Sequence, residues 1–246
     1  MPPDLFVLAG PNGIGKTTSS FDIIPAQIPI INSDEIANAV RNSGIASLNT
    51  QEYSNREAIK LMNGYLEKRE SFAIETNLAD LDTWKFLLET QKRGFSINVI
   101  YLSTDSLELL NDRIEGRVLA GEHYIRPDIV EERYLNGLKL LNHYFDKPDS
   151  LQLFDNSGTL QLVAEIRLGE VLTLNLPVPE WVEKYLGDKI RKEEKKEVKK
   201  TIDLNSIDEV RKRYQASKQE VAKLLPKKKS LKPPNNQQHK KRGRKP

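Results

Sequence analysis

None of the 246 residues is cysteine. The chain therefore forms no disulfide and has no thiolate to use as nucleophile or metal ligand, which is compatible with a reducing compartment. Histidine is scarce, at three residues, and neither His123 nor His143 has a neighbour at metal-ligand spacing, so each is expected to be packed or at the surface. No apolar run approaches the roughly 18 residues of a membrane span, and the N-terminus shows no signal-peptide pattern. A cytoplasmic protein with no membrane contact is expected. There is no internal repeat.

Charge is abundant but unevenly placed. Residues 1–182 hold 16 Lys and Arg against 26 Asp and Glu, a net of −10, whereas residues 183–246 hold 22 against 9, a net of +13. The overall +3 thus hides an acidic body and a basic extension.

One short stretch organises the rest. Gly10-Pro11-Asn12-Gly13-Ile14-Gly15-Lys16-Thr17-Thr18 follows the apolar run Leu5–Ala9 and has the spacing G-x-x-x-x-G-K-T of a phosphate-binding loop. Its glycines allow successive amides to curl around a polyphosphate. Lys16 is placed to reach the β- and γ-phosphates, Thr17 to ligate magnesium, and the helix start near Gly15 adds a positive dipole end. ATP and Mg2+ are the expected cofactors.

Beyond the loop, apolar runs and 3.6-residue stripes alternate. Strands are expected at 5–9, 28–31, 71–75, 97–102 and 151–154. Helices are expected at 15–24, 34–41, 51–69, 82–92, 106–119 and 127–144. This predicts an α/β fold with a parallel sheet of about five strands flanked by helices. Segments 160–166 and 170–176 read as a terminal antiparallel pair. The domain is expected to span 1–182, followed by a charged, partly helical linker over 183–225. Residues 226–246, with nine basic and no acidic side chains, are too polar to bury a core and are expected to be disordered.

In an open parallel sheet, ligands bind beyond the carboxyl ends of the strands. That edge collects Asp34, Glu75 with Thr76 and Asn77, Ser103 to Asp105, and Asp155 to Ser157. Asp34 is either a general base for an attacking hydroxyl or a carboxylate complementing a helix dipole. Glu75 either orients substrate hydroxyls or acts near magnesium; no strand shows four apolar residues followed by aspartate, the usual second magnesium carboxylate. Phosphoryl transfer also needs cations over the γ-phosphate. Arg113 and Arg117 share a helix face and Arg126 precedes Pro127, so two helices joined by a Gly-containing loop form a candidate lid. The alternative is pairing with Asp112, Glu115 and Glu122 on a solvated face. Arg133, one turn into the next helix, is a further candidate.

Together these residues resemble the zeta toxin family of P-loop kinases. The loop, Ile31-Asn32-Ser33-Asp34, Phe72 to Asn77, Gly94-Phe95, Arg113-x-x-x-Arg117 with Gly121-Glu122-His123, Arg133-Tyr134 and Asp155-Asn156-Ser157 occur in order over roughly residues 4–158. The resemblance implies transfer of the ATP γ-phosphoryl group to a nucleotide-sugar, UDP-N-acetylglucosamine in characterised toxins, and an inhibitory antitoxin partner. Under it Lys16 and Thr17 hold phosphate and magnesium, Asp34 is the base, Glu75, Asn77 and Arg133 bind substrate, and Arg113, Arg117 and Arg126 belong to the lid. The lid segment, Gly-Glu-His-Tyr-Ile-Arg-Pro, departs from the usual Gly-Gly-His pattern, and Asn77 stands where threonine is common. Two other readings stay open: a kinase of another small hydroxyl compound, and a nucleotide-dependent regulatory protein. The tail sequence Lys240-Lys241-Arg242-Gly243-Arg244-Lys245-Pro246 partly resembles an AT-hook and either contacts nucleic acid through its charge or is a solubilising disordered tail that offsets the acidic body.

Overall fold

In the computed structural model the described residues are 2–42, 50–119 and 124–203. The expected Gly121-Glu122-His123 lid loop and the basic tail from 204 onward lie outside them. Two units are distinguished, residues 1–196 and 197–246; of the second, only the helical backbone of 197–203 is described.

Seven strands form one sheet in the order β2-β3-β1-β4-β5-β6-β7. Strands β1 (Asp4–Ala9), β2 (Ile30–Ile31), β3 (Phe72–Thr76), β4 (Ser96–Ser103) and β5 (Ser150–Asp155) run parallel, with β6 (Gln161–Arg167) and β7 (Glu170–Leu174) added antiparallel to β5. The parallel core and the antiparallel pair thus agree with the sequence pattern, and the pair extends the same sheet. Central β4 is apolar almost without interruption because helices cover both faces: Val99, Ile100, Tyr101 and Leu102 are all buried.

Local chemistry sets the element ends. The expected strand at 28–31 pairs only over Ile30–Ile31, since Pro29 has no N–H to give; its carbonyl still accepts from the Ala73 amide at 2.8 Å. Helix α4 (Leu81–Lys92) starts on Asp80, whose carboxylate accepts from the Thr83 amide at 2.7 Å. Helix α6 (Pro127–His143) has Pro127 in its first turn, where a missing N–H costs nothing. The remaining helices are α1 (Lys16–Ile23), α2 (Ser33–Asn42), α3 (Thr50–Lys68), α5 (Leu107–Leu119) and α7 (Glu180–Asp203).

The core continues past residue 182. Trp181 is 1% exposed, and Val182, Leu186 and Ile190 of α7 are buried with it. Asp105, beyond β4, accepts from the Glu180 and Trp181 amides at 3.2 and 2.6 Å, capping α7. The Trp181 indole donates to Asp155 at the end of β5, at 3.1 Å.

Candidate active site at the phosphate loop

The register brings the strand ends level. Ala9 pairs with Thr76 on one side and Tyr101 on the other, and Ser103 pairs with Asp155. Gly10, Asn77, Thr104 and Asn156 therefore leave the sheet along one edge, where the switch in crossover direction around β1 opens a crevice.

The loop is shaped by close packing as much as by glycine's freedom. Gly13 has φ +80°, and a Cβ there would lie 2.5 Å from the Leu110 carbonyl oxygen of α5; at Gly10, φ +138°, a Cβ would collide with the Leu102 carbonyl. Gly15, also left-handed, starts α1. Pro11, Asn12, Gly13 and Ile14 are buried, while Thr17 and Thr18 are exposed on the first turn of α1.

Lys16 is 8% exposed. Its ammonium donates to the Gly10 and Pro11 carbonyls at 2.9 and 3.1 Å and to Asn77 Oδ1 at 3.3 Å. Burial pushes its pKa down to about 8, against the opposing pull of the Glu75 and Asp34 carboxylates; Arg117 and Arg133 push the same way as burial.

Glu75 lies opposite. Its carboxylate accepts from Thr17 Oγ1 at 2.9 and 3.1 Å and from Asn32 Nδ2 at 2.9 Å. Burial raises its pKa, while Lys16 and the Thr17 hydroxyl oppose the rise. Asn32 works from both ends of its amide, because its Oδ1 accepts from the Asp34 amide at 2.9 Å and so starts α2. Asp34 is thereby held in the first turn of α2, solvent-exposed, with its charge in electrostatic reach of both Lys16 and Glu75.

The arginines divide. Arg133 Nη1 donates to Asn12 Oδ1 at 2.9 Å, and Arg113 Nη1 donates to the Asn156 carbonyl at 3.0 Å. The Asn156 side chain in turn donates to the Ile14 carbonyl at 2.7 Å, so Arg113 and Asn156 form a chain of contacts that ends on the loop. Sequence reasoning placed Asn156 at the working edge without this role; the contact joins residues 142 apart and leaves no local signal. Arg117 is exposed on α5, with its charge felt at Lys16. Arg126, exposed before α6, pairs with Asp128 at 3.1 Å.

A cleft of about 730 Å³ opens on the Glu75 side. Its walls come from α3, the end of β3 and the start of α4, with Ile31 and Ser33 at the β2–α2 junction. Glu75 thus lines the cleft and also touches Thr17 of the loop.

A magnesium ion bound with a nucleotide keeps several waters and needs one or two protein oxygens besides phosphate. Thr17 Oγ1 and the Glu75 carboxylate fit that requirement, although no group of three or more His, Asp or Glu residues able to hold a metal occurs among the described residues.

No protein-family profile matches the chain. An uncharacterized protein of Haemophilus influenzae is 31% identical over 128 residues, covering 51% of this chain and 88% of that protein. Among solved structures, a chain of the AvrRxo1-ORF1:-ORF2 complex with ATP matches with a TM-score of 0.61 at 17% identity, over 74% of this chain. The match spans 63% of that longer chain. A structure from the PezAT chromosomal toxin-antitoxin system of Streptococcus pneumoniae matches with a TM-score of 0.52 at 15% identity, over 78% of this chain and 85% of that one. The chain belongs to the family of the Haemophilus influenzae protein, and it shares its fold with these two solved structures.

Proposed function

We propose that the protein is an ATP-dependent phosphotransferase that moves the γ-phosphoryl group to a hydroxyl of a small molecule seated in the cleft beside Glu75. The observation that carries this reading is Glu75 itself. One carboxylate lines the cleft and accepts from Thr17 of the phosphate loop, so donor and acceptor spaces meet at a single residue.

In this reading Lys16 exchanges its loop carbonyls for phosphate oxygens, and Arg117 and Arg133 add positive charge on the far side. Arg113 acts through Asn156 on the loop, and Arg126 belongs to the lid segment. Asp34 takes the proton of the attacking hydroxyl; the new bond forms between that oxygen and the γ-phosphorus as the bond to the β–γ bridging oxygen breaks, and ADP leaves. Thr17 and Glu75 would hold Mg2+, which when bound neutralises charge on the phosphates. Asn77, bonded to Lys16 and next to Glu75 in sequence, is placed to touch either substrate. The resemblance makes UDP-N-acetylglucosamine the first acceptor to test. The toxin-antitoxin system in which a structural neighbour occurs supports an inhibitory protein partner, and the basic tail remains a proposed nucleic-acid contact. No helix among the described residues is long and apolar enough to cross a membrane.

The test is ATP consumption with and without added hydroxyl compounds, for wild type and Asp34→Ala. Acceptor-stimulated turnover that Asp34→Ala lowers by about 10²-fold or more supports the reading; unchanged turnover in the variant removes Asp34 as base.

A further inference from the structure

The charges around this site are segregated. On the loop, α5 and α6 side stand Lys16, Arg113, Arg117 and Arg133. The cleft on the α2, α3 and α4 side is different: among the described residues that line it there is no lysine or arginine, while Glu75, Asp80 and Asp82 all do. The rest of the wall is apolar, including Ile59, Met62 and Phe86, or uncharged polar, such as Asn55 and Asn63.

The three carboxylates are not equally free. Asp82, at the exposed rim, is paired with Lys85 at 2.9 Å. Asp80 accepts from the Thr83 amide and hydroxyl at 2.7 and 2.8 Å, so it already occupies the start of α4, and Asn32 Oδ1 likewise takes the first amides of α2; helix amides that would otherwise welcome an anion are thus already used. Glu75 carries its charge at the boundary with the donor side, with Asp34 and Glu35 of α2 near enough to raise its pKa further. A ligand anion in this cleft would meet like charge, with no lysine or arginine among the described lining residues and Lys85 at the rim already taken by Asp82, which is how a site discriminates against a wrong substrate.

We infer that the acceptor in this cleft is a hydroxyl compound free of phosphate and carboxylate, neutral or carrying an amine, with an apolar flank against Ile59, Met62 and Phe86. The inference rests on the phosphotransferase reading and narrows its acceptor class away from the doubly charged diphosphate of a nucleotide-sugar. The chemistry is unchanged: the acceptor oxygen gains the γ-phosphoryl group of ATP, its proton leaves, and ADP is released. A cleft of about 730 Å³ is ample for a sugar with a short alkyl or amine-bearing substituent.

The test offers the full chain with Mg-ATP three probes: hexyl β-glucoside, hexyl β-glucosaminide and UDP-N-acetylglucosamine. Phosphorylated product is read by mass spectrometry, and Mg-ATP binding is measured in parallel by calorimetry. The expected result is a kcat/KM at least tenfold higher for the two hexyl glycosides than for the nucleotide-sugar. Asn63→Lys, a change at an exposed position of the wall, should then lower the amine probe relative to the neutral one at least threefold while leaving Mg-ATP affinity unaltered. Preference for the nucleotide-sugar overturns the inference and leaves the kinase reading standing, as does an unchanged probe ratio in Asn63→Lys. If Mg-ATP binds but no probe yields product, the phosphotransferase reading fails and the inference falls with it. Asn55→Lys serves as the second cation-adding variant if Asn63→Lys lowers the melting temperature.

Discussion

Glu75→Gln separates what the carboxylate does for the fold from what it does for the ligand. The amide is isosteric. Its oxygen can take the place of Oε2, which accepts from both Thr17 and Asn32 at 2.9 Å, and its NH2 can then face the Thr17 oxygen at the 3.1 Å position of Oε1. No donor is orphaned, so the local hydrogen bonds survive. The pKa of Glu75 is raised chiefly by burial. A carboxyl whose folded pKa lies above its unfolded one costs the folded state free energy as pH rises from the unfolded value to the folded one, and in full above it. Removing the charge at pH 7 should thus leave stability unchanged or raise it by up to about 1 kcal/mol, a rise of zero to about 4 °C in Tm for a domain of this size. Nucleotide binding should move in opposite senses with and without metal. Metal-free ATP no longer meets a carboxylate beside Thr17 and should bind about tenfold tighter, equivalent to about 1.4 kcal/mol. Mg-ATP should lose its advantage over free ATP, and acceptor-stimulated turnover should fall by about 10²-fold. Calorimetric titration with ATP in EDTA and in Mg2+, beside thermal unfolding of the same preparation, reads all of these. A Tm drop of more than about 8 °C, or an undiminished Mg2+ preference, would refute the reasoning.

The ammonium of empty Lys16 titrates near 8, whereas phosphate would hold it protonated, so ATP should bind with uptake of a proton above pH 8 and its Kd should rise about tenfold per pH unit from there; a flat Kd between pH 7 and 10 would contradict this. In the empty protein the sign is reversed, because the unfolded lysine keeps its proton to about 10.5, and this group should add stability as pH rises from 8 to 10.5, at up to about 1.4 kcal/mol per unit. Gly13→Ala meets the Leu110 carbonyl at 2.5 Å in a left-handed conformation and should cost about 2 kcal/mol or more while abolishing ATP binding, as shown by melting with and without ATP. Asn156→Ala releases Ile14 and removes the role of Arg113 at the loop, so ATP affinity should fall about 3- to 10-fold with a loss of about 1 kcal/mol in stability; additive effects of Asn156→Ala and Arg113→Ala in a double-mutant cycle would show that the two do not act in series.

The phosphate loop and the sheet were legible because both follow local rules: glycine spacing announces the one, and apolar runs between amphipathic stripes announce the other. Segments 5–9, 97–102 and 151–154 read as strands because strands buried on both faces are apolar throughout. Strand order is another matter. Nothing local places β3 between β2 and β1, and only that order sets Asn77 beside Lys16. The contacts that fix the loop are of the same kind: Arg133 with Asn12, 121 residues apart, and Asn156 with Ile14. Asparagine is a helix-capping type, and Asn32 serves α2 in that way, but its second use, holding Glu75 toward Thr17, appears only once β2 and β3 lie side by side. The arginines grouped by sequence take different partners, Arg113 the Asn156 carbonyl and Arg126 the Asp128 carboxylate, since a helix face shows which side chains are neighbours and not which element that face meets.

The same long-range wiring governs how the C-terminal extension has to be probed. Cutting after Trp181 would remove Val182, Leu186 and Ile190, all buried in the main core, at about 2 to 5 kcal/mol for each large side chain lost. It would also leave Asp105 capping a helix that no longer exists. Asp105 follows β4 and Asp155 follows β5, and the next residue after Asp155 is Asn156, which donates to the phosphate loop. Loss of nucleotide or nucleic-acid binding in such a truncation would then report a displaced Trp181 and a disturbed loop, whatever the basic residues do. A cut after Arg191 keeps Trp181, Val182, Leu186 and Ile190 and removes 19 of the 38 Lys and Arg, so it tests the basic extension without removing those core residues. If salt-dependent nucleic-acid binding belongs to the extension, it should vanish with that shorter cut while ATP affinity and Tm stay at the full-length values.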